Sequence, residues 1–327
     1  MSAPPIPLYH PDLTQQDRDR VLQALTPPWQ DEAACQQLEQ AWHNHWQRPV
    51  VAFAHPTAAI QALAELFSWR MGDAIALSPL ANPEWSEALQ HAGLYPAWLD
   101  LEIPHGLGSG QPMGLACCAG QLQGWMRFGF AGQQDTTPLP PHVTPLEVLD
   151  HCLIPASPMA TSSIGLLHLG ANGPLQGGEI TLVSMAHASE VEQLRTCRQQ
   201  LPSRSALALA LSQTSQYQSL MASRAQRAQR YLDLLRPRNR FSVPTARQHW
   251  SRFTLWMTDH QQAQELYTFL HSAQIGCCLG HPLPPPHEGA GLHHWYQHAL
   301  QVPLYAALKD GDQKRIINRI HRWVERG

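Results

Sequence analysis

Short apolar segments alternate with amphipathic helical segments over much of the chain. Between the apolar segments lie stretches such as Thr57–Arg70, in which apolar residues recur every three or four positions. Because parallel neighbouring strands must be joined by crossover helices, this alternation favours a mostly parallel sheet. We therefore predict an α/β fold. The candidate strands are Val50–Ala54, Ala74–Ser78, Ala97–Leu99, Trp125–Phe130, Leu146–Asp150, Ile164–Leu169 and Glu179–Ser184.

The pattern changes in the second half of the chain, where long helical segments replace the alternation. Helices are predicted over Ser189–Gln199 and Ser205–Leu235, and a polar break follows at Pro237–Gln248. We place a domain boundary there, which gives a large domain of residues 1–240 and a small α+β domain of residues 241–327. The small domain is predicted to contain a strand at Phe253–Met257, a helix at Gln261–Ala273 and a last helix near Asp310, with a capping box of Asp310 and Gln313.

Charge and cysteine content argue against several classes of function. The 22 basic and 25 acidic residues give a net charge of −3 without a basic domain, so we expect no nucleic-acid partner. No stretch approaches the roughly 18 continuous apolar residues of a membrane span, and no secretory signal is recognised. The seven cysteines contain no Cys-x-x-Cys pair, which favours free thiols in a reducing cytoplasm.

Cysteine and histidine residues near the C-terminus do not form a recognisable metal motif. Cys277, Cys278 and His281 lie close together in sequence, as do His287, His293 and His294, but no spacing defines a tetrahedral set of ligands. With 19 histidines in the chain, chance clusters are expected. We predict no metal site.

A series of short motifs runs along nearly the whole chain. They are Pro11-Asp12-Leu13-Thr14, His55-Pro56-Thr57-Ala58-Ala59, Gly72-Asp73, Ala92-Gly93-Leu94-Tyr95-Pro96, Gly132-Gln133, Asp150, His168–Glu179 and Pro303-Leu304-Tyr305. In order and spacing they resemble the DegT/DnrJ/StrS family of sugar aminotransferases, which depend on pyridoxal phosphate (PLP). The resemblance implies an aspartate-aminotransferase-like (PLP-transferase) fold. That fold has a mostly parallel, seven-stranded type of sheet flanked by helices, and the family forms a homodimer with the cofactor cleft at the subunit interface.

The chain lacks the lysine that the family's chemistry needs. In the family, this lysine forms a Schiff base with the cofactor and later shuttles a proton. The corresponding position in this sequence is Ala171. No other alignment supplies the residue, because the only lysines are Lys309 and Lys314, close to the C-terminus. A partner subunit of the same sequence cannot supply it either, so we expect no covalently held cofactor.

Other positions that contact the cofactor in the family have also changed. The resemblance places Leu166 at the phosphate-binding serine, Asn82 at the aromatic residue that stacks on the pyridine ring, and Leu153 at a glutamine. Pro56, which has no N–H, precedes Thr57 at the helix whose N-terminus binds the phosphate in the family.

Three residues match the family's cofactor contacts. Asp150 corresponds to the carboxylate that pairs with the pyridine nitrogen, and Thr57 and Asn172 correspond to further contacts. Each also has a simpler explanation, since a strand-end aspartate caps turns and the other two suit N-cap or turn positions. One branch of the family replaces the lysine with histidine, which suggests the hypothesis of a catalytic role for His168 or His151. His168 occupies the family's ordinary histidine position, however, and we expect it to be structural.

These observations predict a pseudoenzyme with a binding or scaffolding role. By family analogy that role is linked to surface-polysaccharide or deoxyaminosugar biosynthesis. The alternative is an enzyme that holds PLP or pyridoxamine phosphate (PMP) non-covalently through Asp150 and Thr57 and acts on a nucleotide-linked keto sugar. A third hypothesis is a cleft re-purposed for another ligand. The expected partners are a second copy of the chain and a small-molecule or sugar-nucleotide ligand.

Overall fold

A computed structural model of the chain describes residues 4–103, 107–109, 112–115, 119–128, 138–150, 159–160, 162–170, 173–244, 250–280 and 288–326. The helices are α1 (Gln15–Ala24), α2 (Asp31–Trp46), α3 (Pro56–Leu66), α4 (Pro83–His91), α5 (Ala188–Cys197), α6 (Arg204–Leu234), α7 (His260–His271), α8 (Ala290–His298) and α9 (Asp310–Glu325). The strands are β1 (Val50–Phe53), β2 (Ala74–Leu77), β3 (Tyr95–Trp98), β4 (Asp100–Glu102), β5 (Leu107–Ser109), β6 (Leu122–Phe128), β7 (Thr144–Val148), β8 (Ile164–His168), β9 (Thr181–Ser184), β10 (Phe241–Ser242), β11 (Phe253–Met257), β12 (Cys278–Leu279) and β13 (Ala299–Val302).

Seven strands form one mixed sheet in the order β1-β9-β8-β7-β6-β2-β3. The neighbours from β8 to β3 run parallel, whereas β9 runs antiparallel to both β8 and β1. Every residue of β1, β2, β8 and β9 is buried, as expected for strands covered by helices on both faces. The structure confirms the predicted α/β class and mostly parallel sheet, with strand ends shifted by a few residues.

Alternate residues of the strands pack against different helices. Val51 and Phe53 of β1 belong to a core with α3, α4 and α5, whereas Val50 and Ala52 belong to a core with α2 and α6. Because successive side chains of a strand point to opposite faces, the two helix groups cover the two sides of the sheet. On the α2 side, the indole of Trp42 is fully buried and donates a hydrogen bond of 3.1 Å to Thr214 Oγ1 of α6.

A second, antiparallel sheet of order β10-β11-β13-β12 packs with α7 and α9. It begins at Phe241, beside the boundary predicted near residue 240, and the boundary itself stays a prediction.

The predicted capping box at α9 is wrong, because Lys309 is the N-cap residue and no side chain caps the helix. Gln313 is fully buried, and its amide donates to the Arg227 carbonyl of α6 at 2.6 Å. The Gln313 side chain, which the capping box required, is therefore used in a contact with α6.

A buried ion pair ties the N-terminal segment to α6. Arg224 Nη2 lies 2.8 Å from Asp12 Oδ2, and the two side chains are 5% and 1% exposed. Asp12 also accepts hydrogen bonds from the backbone N–H groups of Ala306 and Ala307, at 2.9 and 2.8 Å. The aspartate therefore holds together three parts of the chain that are distant in sequence.

Among the described residues, no helix combines the length and apolarity that crossing a membrane requires.

Candidate functional site

Asp150 lies just beyond the end of β7 and is fully buried. Its Oδ1 accepts a hydrogen bond of 2.7 Å from the backbone N–H of His168. Its Oδ2 accepts two, from Asn82 Nδ2 at 2.9 Å and from Trp85 Nε1 at 2.6 Å. Burial raises the pKa of the carboxyl, although the charge of His168 and these hydrogen bonds oppose the shift. Both oxygens are thus occupied by donors of the same chain, on α4 and β8.

The start of α4 supplies two of these donors. Asn82 is the N-cap residue, but its side chain makes no capping bond and turns to Asp150 instead. Pro83 follows at the first helical position, where its missing N–H is not needed. Trp85 is fully buried, and a buried indole N–H normally needs an acceptor. Trp85 was not among the residues predicted from the sequence, and it lies in the first turn of α4.

The N-terminus of α3 is capped by its own chain. His55 is the N-cap residue, and its Nδ1 accepts a hydrogen bond of 3.2 Å from the Ala58 N–H. Pro56 has no N–H to donate. Thr57 is half-buried in the first turn, so its interpretation as an N-cap residue is wrong, because His55 holds that position. Two positions that could bind an anion at this helix N-terminus therefore offer no free N–H, because Pro56 has none and the Ala58 N–H is engaged by His55.

Leu166 lies in the middle of β8 and is fully buried. It is paired with Val148 of β7 and Val183 of β9, and it belongs to the core under α3 and α4. Its side chain has no polar atom that could contact a phosphate. The position therefore serves packing of the sheet.

His168 ends β8 with its side chain only 1% exposed. Its Nδ1 lies 3.4 Å from Thr181 Oγ1, and its Nε2 lies 3.2 Å from Glu179 Oε2. Burial alone would lower the pKa of His168, but the carboxylates of Glu179 and Asp150 outweigh it and the pKa is raised. The same contact lowers the pKa of Glu179. Glu84 also lies beside the ring, and neither glutamate was found by sequence analysis.

The structure brings together only part of the predicted set. Asn82, Asp150 and His168 are in direct contact, whereas no hydrogen bond or ion pair among the described residues joins Thr57 to them. The predicted residues Ala171, Asn172, Leu153 and His151 lie outside the described residues.

The cysteine pair of the second sheet has no sign of reactivity. Burial raises the pKa of the Cys277 thiol to about 12 and that of Cys278 to about 11. Neutral thiols are poor nucleophiles and poor metal ligands. Of the nearby histidines named in the sequence analysis, His281 and His287 lie outside the described residues.

Comparison with protein-family models and with curated proteins finds no match for the chain. Several solved structures are similar. Helicobacter pylori PseC, an aminotransferase involved in the biosynthesis of pseudoaminic acid, is 14% identical with a TM-score of 0.77, over 99% of this chain and 100% of that one. NtdA from Bacillus subtilis, with bound cofactor PMP, is 12% identical with a TM-score of 0.79, over 99% of this chain and 85% of that one.

A DegT DnrJ EryC1 StrS aminotransferase from Brucella abortus is also similar, with 14% identity and a TM-score of 0.69 over 94% of this chain and 95% of that one. These likenesses confirm the predicted PLP-transferase fold, and in structure the chain resembles DegT/DnrJ/StrS sugar aminotransferases. At such low identity the comparison establishes the fold and leaves the chemistry to the residues of the site.

Proposed function

We propose that this chain is a pseudoenzyme, which keeps an aminotransferase-like fold and acts by binding or scaffolding. The observation that carries the proposal is the set of three hydrogen bonds that the chain's own donors make to Asp150. In the enzymes that the chain resembles, the corresponding carboxylate pairs with the protonated pyridine nitrogen of the cofactor. Here Asn82, Trp85 and the His168 N–H use both carboxylate oxygens, and the residue is fully buried.

The residues present do not fit PLP or PMP. Leu166 offers no hydrogen bond to a phosphate, and the first turn of α3 is capped by His55 and begins with Pro56. Asn82 stands where the family stacks an aromatic ring, and it uses its amide on Asp150. The losses concern three separate parts of one ligand, its phosphate, its ring face and its ring nitrogen. We infer that neither form of the cofactor is resident in this protein.

The two lysines of the chain support the same proposal. Lys309 is the N-cap residue of α9, Lys314 lies farther along that helix, and both are exposed. Solvent-exposed lysines lack the desolvated setting that activates a Schiff-base lysine. From the resemblance, we further propose a cytoplasmic homodimer that serves sugar biosynthesis beside active relatives.

A lysine-labelling experiment tests the proposal. Protein mixed with PLP and reduced with borohydride is expected to show no internal-aldimine absorbance and no stoichiometric adduct by peptide mass spectrometry. Weak labelling at exposed Lys309 and Lys314 is expected to disappear in the double variant K309R/K314R, which contains no lysine. This variant should fold like the wild type, because both side chains are exposed. One adduct per chain, formed at low PLP concentration, would refute the proposal.

A further inference from the structure

One histidine and two glutamates meet beside the Asp150 cluster. Glu84 lies in the first turn of α4, His168 ends β8, and Glu179 lies in the turn before β9. One ligand atom of each, the imidazole nitrogen and two carboxylate oxygens, lies within 4.8 Å of the others. Within the part of the chain that the structure describes, no other three such residues meet this condition.

Two atoms of these side chains are buried without a hydrogen-bond partner among the described residues. They are His168 Nε2 and Glu84 Oε2. Glu179 Oε2 lies 3.2 Å from Nε2 and forms an ion pair with it when the ring is protonated, although the contact lacks the alignment of a hydrogen bond. The His168 side chain is only 1% exposed. Because buried polar atoms nearly always have partners, this pair indicates a site for a polar or charged ligand.

The surroundings of His168 aim its Nε2 at the two carboxylates. Thr181 Oγ1 lies 3.4 Å from Nδ1 and can accept a hydrogen bond from the Nδ1–H, which leaves the lone pair on Nε2 in that tautomer. Only a glycine fits beside this ring at position 170, because a Cβ on that residue would lie 2.3 Å from Nε2. A histidine oriented by a second partner is the usual form of a metal-binding histidine.

We propose that Glu84, His168 and Glu179 bind a divalent transition-metal ion of the Zn²⁺ type. An imidazole nitrogen with two carboxylate oxygens is a donor set that such ions accept, at distances of about 2.0–2.2 Å. Two carboxylates also balance the charge of a divalent cation. The Glu179 side chain is 53% exposed, which gives the ion a route from solvent.

The site joins α4 to β8 and to the turn before β9, with a fourth coordination position left for water or an added ligand. It does not depend on the proposed loss of Schiff-base chemistry, and either proposal can fail alone. The sequence predicts no metal site, because the three ligands are far apart in the chain and match no motif.

A zinc competition assay on the full chain, without a histidine tag, tests this site. Zn²⁺ is titrated in the presence of a chromogenic chelator, and we expect one tightly bound ion per chain. Co²⁺ should bind at the same place and give the visible absorption of a four- or five-coordinate ion. Zn²⁺ should also raise the thermal unfolding midpoint, because it binds the folded state.

Isosteric variants locate the ion. Glu84→Gln and Glu179→Gln should each weaken Zn²⁺ binding more than about 100-fold, since removing even an outer-shell partner costs 10–100-fold. Thr181→Val, which removes the partner of Nδ1, should weaken it about 10-fold. Glu87→Gln is the matched control, because Glu87 is exposed one turn farther along α4. The proposal is overturned by absence of binding, by unchanged affinity in both ligand variants, or by equal loss in the control. Each of those results leaves His168 and Glu179 as an ordinary ion pair.

Discussion

Replacing Asp12 by alanine is expected to lower the free energy of unfolding by about 3–5 kcal/mol, since it leaves a buried arginine unpaired. Arg224 Nη2 would lose its carboxylate at 2.8 Å, while among the described residues the carbonyl oxygens of Ser251 and Leu304 would remain near Nη1, at 3.3 and 3.2 Å. Burial already lowers the pKa of Arg224, and the charge of Asp12 opposes that shift. Urea unfolding followed by circular dichroism measures the change.

Two further variants separate this ion pair from general damage to the fold. The double variant Asp12→Ala/Arg224→Met should be more stable than Asp12→Ala alone, because no unpaired charge is left in the interior. Asp31→Ala breaks the exposed pair with Arg204 and should leave the urea midpoint nearly unchanged. A single Asp12→Ala variant as stable as the wild type would contradict a role for Asp12 in holding the N-terminal segment.

Replacing Asp150 by alanine is expected to lower the free energy of unfolding by about 2–4 kcal/mol, because three buried donors lose their acceptor. These donors are the Asn82 amide, the Trp85 indole and the His168 N–H. Asp150→Asn should also destabilise the protein, since an amide offers one acceptor and places a donor against donors. Thermal and urea unfolding measure both variants.

The sign of the change in unfolding free energy on replacing Asp150 distinguishes a carboxylate kept for a ligand from one that serves the fold. A carboxylate kept for a ligand is buried at a cost in stability, and its removal then often stabilises the empty protein. A carboxylate that completes the packing of α4 against β8 stabilises the folded protein, and its removal then lowers the free energy of unfolding. If Asp150→Ala unfolds at a higher urea concentration than the wild type, the residue serves a ligand and its hydrogen bonds are secondary.

The fold was largely predictable because most strands of the large sheet are buried, apolar and separated by helical periodicity. The pattern failed where elements are too short to show a period, as in β10 and β12, which have two residues each. It also left α2 unassigned, although Leu38, Trp42 and Trp46 recur at helical spacing and are buried. The capping box at α9 failed because Gln313 is used in a contact with α6.

The candidate site was predictable only in part. The resemblance pointed to Asp150, Asn82 and His168, which the structure places together. Their hydrogen bonds join residues far apart in sequence, so no local pattern could show that Asn82 satisfies Asp150. Trp85 and Glu179 were missed for the same reason, and the role of Ala171 rests on the alignment alone.

Calorimetric titration with PMP tests the central claim most directly, because PMP needs no Schiff-base lysine to bind. The closed hydrogen bonds of Asp150 and the capped N-terminus of α3 predict no saturable heat of binding. The same result is predicted for Asn82→Ala, since the phosphate and the ring still lack partners. Saturable binding of PMP to the wild type, weakened in a folded Asp150→Asn variant, would contradict the account and support the non-covalent enzyme instead.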